Sequence, residues 1–315
     1  MVSDSADYVV QEVGRLGYKT VTQTRRGHVR VRVQGKAKGP VRAICSHLDT
    51  LGAMVAEIKS DGTLRLSRIG GFAPRSAENA RVTIHSQTPL KGTLLIPTIT
   101  AHSYGDVEMN THKADWDTMV CRVDGDVVKA GVRVGDYVSI DTGYEESNGY
   151  IVSRFLDNKA SAAIQLAVLQ VWKKSKITPA VTMDFVFSVD EEVSYGGASM
   201  LAEDTADCVA LDIAPVSKLT NSHEKYVTVA LKDGLGPYSL DLSRDLIALG
   251  EKLKLPLKTD VFRFYRSDAG AAVFAGMDIR IALMGFGTDA THGYERTHTD
   301  ALMATAALVE AWGRS

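Results

Sequence analysis

An α/β domain interrupted by a small β module is the fold class this sequence predicts: a mixed, largely parallel sheet flanked by helices, with a β-barrel-like insertion. Three observations carry it. Continuous apolar runs such as residues 41–46 (VRAICS) and 181–189 (VTMDFVFSV) suit strands buried on both faces. After Tyr150 such runs alternate with helical periodicity, the pattern of a sheet covered by helices. Between about Asp61 and Tyr144 the chain turns instead to short Gly-, Thr- and Val-rich segments with frequent turn signals.

Residues 4–16 place Tyr8, Val9, Val13 and Leu16 at helical spacing and predict an opening helix. Residues 28–33 (HVRVRV) alternate like a half-buried strand. The run 41–46 ends at His47-Leu48-Asp49, and a second apolar run, 51–58, follows at once. Asp61-Gly62, Gly70-Gly71, Lys91-Gly92, Asp124-Gly125 and Gly135-Asp136 then punctuate the β module, in which residues 127–140 fit a hairpin. Further on, helices are expected at 160–172, from 197 onward, at 239–253 and at 299–312. Strands are expected at 181–189, 208–211 and 279–283. Residues 1–61 and 149–315 thus read as one domain and 62–148 as its insertion.

The chain has 315 residues, 45% of them hydrophobic, enough for a large core. A net charge of −2 without a basic stripe argues against nucleic acid and anionic membranes as partners. No apolar run approaches the ~20 residues of a membrane helix. The first residues lack the basic start and apolar core of a signal peptide. Cys45, Cys121 and Cys208 are too few and too scattered for a disulfide framework or a thiolate zinc cluster. A soluble, cytoplasmic protein with reduced thiols is expected.

Ligand-type residues recur where predicted strands end: His47-Leu48-Asp49, Asp157-Asn158, Asp190-Glu191-Glu192, Asp212 and His298. Sites in open α/β sheets lie beyond the carboxyl ends of strands, so the shared location matters. His47 alone reads equally as a satisfied core histidine, but Asp49 could hold its second ring nitrogen as metal-binding histidines require. Asp157 alone reads as a helix N-cap, but a carboxylate can also bridge two cations about 3.5–4 Å apart. Three consecutive acids repel unless solvated or bound to cations. Side chains of neighbouring residues diverge, so one of Glu191 and Glu192 can bind a metal while the other reaches a water. In the string THGYERTHTD, His292 and His298 could each be a ligand. Nitrogen and oxygen donors without sulfur suit Zn²⁺, Co²⁺ or Mn²⁺.

The strings SHLDTLGAMV, SRFLDNKASAA, DEEVSYGGA, LDIAP and ERTHTDAL resemble those of the glutamyl and deblocking aminopeptidases, whose members form large tetrahedral (TET) particles. They run in family order over nearly the whole chain. The DEEV and LDN strings are the specific ones, and the β module between His47 and Asp157 also matches. The resemblance implies a zinc-exopeptidase-like fold and two divalent metal ions per subunit, Zn²⁺ or Co²⁺, with Mn²⁺ as an alternative. His47 and Asp212 would bind one, Glu192 and His298 the other, and Asp157 both. Glu191 would be the general base, and Asp49 would orient His47. Ser267-Asp268-Ala269-Gly270 looks like a family string lining the site. Three features depart from the family: Ser267 where Thr is more usual, Asp190 where Gln is common, and a longer, more polar stretch from Gly143 to Tyr150.

The function so implied is removal of N-terminal residues from peptides with a free N-terminus. The implied assembly is a homo-oligomer, with a dodecamer built from dimers as one form and the β module serving oligomerisation and access. A metal-dependent deacylase of small amides would use the same site. An inactive assembly protein would keep the fold but lose a ligand or the base, and every position here is filled. A glycosidase would need carboxyls about 5–9.5 Å apart across a sugar bond, which adjacent Glu191 and Glu192 suit poorly. Lys232, Arg263 and Arg266 are candidate partners for an acidic N-terminal side chain.

Overall fold

The computed structural model describes residues 2–97, 100, 102–111 and 113–315. The chain divides into two compact units, residues 1–50, 144–291 and 295–315 in one, and 51–143 with 292–294 in the other.

The first unit is built on an eight-stranded mixed sheet. Across the sheet the strands run Val21–Gln23, Val29–Val33, Met183–Ser188, Val41–His47, Thr205–Pro215, Arg280–Thr288, Val227–Lys232 and Leu257–Val261. The four from Met183–Ser188 to Arg280–Thr288 are mutually parallel, which brings their carboxyl ends to one edge. Alternate residues of these strands serve two cores. One side carries large side chains (Ile44, Phe185, Phe187, Val209, Leu211) and packs on the helices Leu156–Ser175 and Thr299–Arg314, with Trp172 and Trp312 fully buried. The other side carries small ones (Ala43, Cys45, Cys208, Ala210). Burial on both faces explains the unbroken apolar runs. The small side lets the short helix Asp268–Phe274 approach closely.

A three-stranded sheet of Glu145–Ser147, Tyr150–Ser153 and Glu295–His298 completes this unit. Asn148 and Gly149, at φ 52° and 81°, form its two-residue turn, as Asn-Gly pairs do. The polar stretch before Tyr150 is therefore a hairpin. No helix of the described residues is long and apolar enough to cross a membrane.

The second unit closes six strands into a barrel: Gly52–Ile58, Leu64–Ile69, Val120–Val123, Leu90–Leu95, Arg81–Ile84 and Tyr137–Ile140. Its interior is filled by Val55, Leu64, Leu66, Val82, Ile84, Leu94, Cys121 and Val138, all buried. The unit begins at Leu51, upstream of the expected residue 62, because strand Gly52–Ile58 pairs with barrel strands on both sides.

Two expected elements differ. Residues 127–140 are not a hairpin: the Asp126 carboxylate accepts the N–H groups of Val128 and Lys129, and Gly131 and Gly135 take positive φ. That makes 126–135 a compact turn ahead of one strand. The helix expected from Gly197 is a single 3₁₀ turn, Gly196–Ala198. A Cβ on Gly197 would sit 1.7 Å from the Asp268 carbonyl oxygen, so a neighbouring helix start occupies that space.

Candidate active site

His47 ends its strand, and Ser188 ends the neighbouring parallel one just before the Asp190-Glu191-Glu192 loop. Asp212 lies on the next strand, and Asp157 in a non-helical first turn of the long helix, followed by a cis peptide to Asn158. Asn158 fastens that turn to the sheet, its amide donating to the Leu211 carbonyl at 2.9 Å. Ligand atoms of His47, Asp157 and Asp212 all lie within 4.8 Å of one another, and all three residues are buried.

His47 Nε2 lies 2.9 Å from Asp157 Oδ1, and its Nδ1–H donates to the Asp49 carbonyl oxygen at 3.0 Å. A carbonyl can only accept, so the proton stays on Nδ1 and Nε2 faces the acids. It is the main-chain oxygen of Asp49, not its carboxylate, that bonds to the His47 ring. Its carboxylate instead accepts the N–H of Glu191 at 3.2 Å and of Glu192 at 3.0 Å. One loop residue thus fixes both the histidine and the acid pair.

Glu191 Oε2 is 3.9 Å from His47 Nε2, and its side chain keeps 16% of its surface open to solvent. Burial, ahead of Asp212 and Asp268, pushes the Glu191 carboxyl well above its usual range. Burial and Asp157 push Glu192 up to about 9. Asp212 is raised by burial and by Asp157. For His47, burial works downward, but Asp157, Asp49 and Glu191 hold its imidazole well above the ordinary value. A buried set of carboxyls that penalise one another's charge, with one imidazole among them, is a donor set that divalent cations would relieve. The residues present therefore fit a metal centre.

Asp190, the third acid, is turned outward at φ 70° and pairs with Arg26, whose Nη2 is 2.5 Å from Asp190 Oδ2.

His298 is not brought to this group: among the described residues it joins no set of ligand atoms that could share an ion. Successive strand residues face opposite ways. In Glu295–His298, Glu295 faces the site and its Oε2 accepts the Asp157 N–H at 3.0 Å. His298, three residues on, therefore faces away. Its Nδ1 accepts the Asp300 N–H at 3.1 Å, capping the last helix. Its ring stands edge-on to Tyr150 at 4.7 Å. A Cβ on Gly149 would lie 2.7 Å from its Nε2, so the ring occupies the hairpin turn.

Glu295 and Lys159 escaped the sequence reading. Lys159 donates to the Leu48 carbonyl at 2.5 Å and to Ser5 Oγ at 2.7 Å, tying the His47 loop to the first helix. Both lie inside strings that carry the resemblance, ERTHTDAL and SRFLDNKASAA, but no spacing rule singled out either charge. Lys232 donates to the Asp233 carbonyl at 2.8 Å, and Arg263 lies 4.8 Å over the Phe264 ring.

The family model for M42 glutamyl aminopeptidase matches residues 27–308. The putative aminopeptidase YhfE of Bacillus subtilis is 36% identical over 296 residues, 91% of this chain and 85% of that protein. The TET aminopeptidase structure from a marine sediment Thaumarchaeota archaeon superposes with a TM-score of 0.88 at 17% identity, covering 98% of this chain and 90% of the other. The TET1 peptidase of Pyrococcus horikoshii, which can assemble into a tetrahedron or a large octahedral shell, superposes at 0.82 with 19% identity over 98% and 92%. At those identities the structures establish the shared fold, and the family match, which spans most of the chain, establishes the kinship. The chain belongs to the M42 glutamyl aminopeptidase family and is a metal-dependent aminopeptidase.

Proposed function

We propose that this enzyme removes N-terminal residues from peptides with two divalent ions, one that would be held by His47, Asp157 and Asp212, the other by Asp157 and Glu192. The observation that carries the reading is the convergence of His47, Asp157 and Asp212 within 4.8 Å, with Glu191 Oε2 3.9 Å from the same imidazole.

When bound, the ion pair supplies Lewis acidity towards a peptide carbonyl and a water, in a site of the kind two-metal hydrolases use. Glu191 does the proton work. It accepts a proton as the water oxygen bonds to the carbonyl carbon, then delivers it to the amine nitrogen as the C–N bond breaks. Asp49 keeps Glu191 and Glu192 in register through their backbone N–H groups. The His47 Nδ1–H to Asp49 carbonyl bond keeps Nε2 aimed at the acids. Zn²⁺ and Co²⁺ are the metals best suited to these donors, with Mn²⁺ next. The barrel unit serves oligomerisation and access in a homo-oligomer, a dodecamer being the form to test first, and the enzyme works in the cytoplasm.

The test is a chelator-stripped preparation reloaded with Zn²⁺, Co²⁺ or Mn²⁺. It is assayed on free and N-acylated aminoacyl-anilides and short peptides, beside Glu191→Gln. Metal-dependent cleavage of free N-termini, lost in Glu191→Gln, is expected. Cleavage of acylated substrates alone would assign a deacylase. Full activity in Glu191→Gln would remove the proposed base. Light scattering of the same preparation reads the subunit number.

A further inference from the structure

Asp268 is the one buried acid beside Glu191 to which neither the ligand set nor the proton path gives a task. It opens the helix Asp268–Phe274 and is 3% exposed. Ser188 Oγ–H donates to its Oδ2, joining it to the strand that ends just before the acid loop. Its other oxygen, Oδ1, is buried with no hydrogen-bond partner among the described residues. A buried oxygen left in that state is costly and calls for an explanation.

The explanation lies in what Oδ1 touches. A Cβ on Gly196 would sit 2.2 Å from Asp268 Oδ1 and 3.0 Å from the N and Cα of Glu191. Gly196 is therefore bare because the Asp268 carboxylate and the Glu191 backbone close on it from two sides. The next residue, Gly197, is bare because of the Asp268 carbonyl. The Asp49 carboxylate meanwhile holds the Glu191 N–H. Two acids thus fix the Glu191 main chain, one bonding to its N–H and one packed against the turn that follows it. Its Oε2 lies 3.9 Å from His47 Nε2.

We propose that Asp268 is a positioning residue for Glu191, setting the turn at Gly196 and directing the Glu191 carboxylate into the site. The proposal rests on Glu191 being the general base. It gives Asp268 no contact with substrate and no metal to bind. Misplacing a reacting group by about an ångström can cost on the order of 100-fold in rate, so a positioning defect is measurable without loss of the fold.

The experiment uses the metal-loaded full chain. Asp268→Asn keeps the shape and removes the charge. Gly196→Ala keeps the charge and pushes Oδ1 away. Each is expected to lower kcat by about 10- to 100-fold, with KM within about twofold, and with metal content and Tm as in the parent. Asp268→Asn combined with Gly196→Ala is expected to be no slower than the slower single variant, because both disturb one contact. Parental kcat in both Asp268→Asn and Gly196→Ala would overturn the proposal, as would a fall in kcat that only follows lost metal or lost Tm. If Asp268→Asn does not fold, Gly196→Ala decides. Glu191→Gln is measured in parallel: its retaining activity would defeat the reading of Glu191 itself, whatever the Asp268 variants do.

Discussion

The carboxylate of Asp49 accepts the backbone N–H of Glu192 at 3.0 Å through one oxygen and that of Glu191 at 3.2 Å through the other. Asp49 therefore acts on the acid pair through the main chain, while its own carbonyl oxygen holds the His47 ring. Asp49→Ala removes the two charge-assisted bonds and keeps the carbonyl. Stability is expected to fall by about 2 kcal/mol, within the range for hydrogen bonds to a charged group. The drop in kcat should be larger, on the order of 100-fold, because the base is released from its register. Urea unfolding and steady-state kinetics on metal-loaded protein measure the two. A variant that loses metal from His47 but keeps kcat per bound metal would contradict this division of roles.

Replacing His298 should cost stability and leave metal content unchanged. His298 caps the last helix and fills the turn at Gly149. His298→Ala is expected to bind metal as the parent does and to lose about 1 kcal/mol of stability, the usual worth of a helix cap. Elemental analysis after dialysis and urea unfolding read the two. Metal loss in His298→Ala would return His298 to the ligand set.

Much of this was legible because strands buried on both faces leave unbroken apolar runs, and some of those runs end on or lead directly into ligand-type residues. Val41–His47 and Met183–Ser188 show it most clearly, one ending on His47 and the other leading into Asp190-Glu191-Glu192. What the sequence could not show was facing. Glu295 and His298 sit in one four-residue strand, and only its pairing with Tyr150–Ser153 decides which of them turns to Asp157. The barrel boundary was hidden for a related reason. The run 51–58 looks like a core strand whether it joins the large sheet or the barrel, and its partners, Leu64–Ile69 and Tyr137–Ile140, are set by long-range pairing. Gly196 and Gly197 read as a turn, and only the long-range contacts show what fills the space a side chain there would take: Asp268 at both, with the Glu191 backbone at Gly196.

Arg32 and Asp184 are opposite each other on antiparallel strands and form a bidentate pair, with Nε and Nη2 each 2.8 Å from a carboxylate oxygen. Asp184 is fully buried, and Arg30 stands further off, 3.8 Å from Oδ2. Arg32→Met would leave a buried carboxylate with that weaker partner, and a loss of about 3 kcal/mol is expected. Replacing both residues, Arg32→Met with Asp184→Leu, should restore most of it, because no charge is then left buried. Chemical denaturation of the two variants tests this. A double variant as unstable as the single one would show that the pair does more than neutralise Asp184.

His28 should make stability pH-dependent on the acidic side of neutrality. It is fully buried, its Nδ1 accepts the Val189 N–H at 3.0 Å, and its other ring nitrogen faces Ser199 Oγ at 3.3 Å. A ring that accepts at Nδ1 must be neutral there. Burial holds its pKa below the ordinary 6.5, against an upward pull from Asp190 and Asp49 and with a downward push from Arg26. Below 6.5 the unfolded chain therefore binds a proton that the folded one refuses. The contribution of His28 is complete above that pH and is lost as pH falls through the folded value. His28→Gln cannot titrate. The stability gap between parent and variant, measured by urea midpoints from neutral to mildly acidic pH, is expected to narrow as pH falls. A gap that widened instead would mean that His28 carries its charge in the folded state.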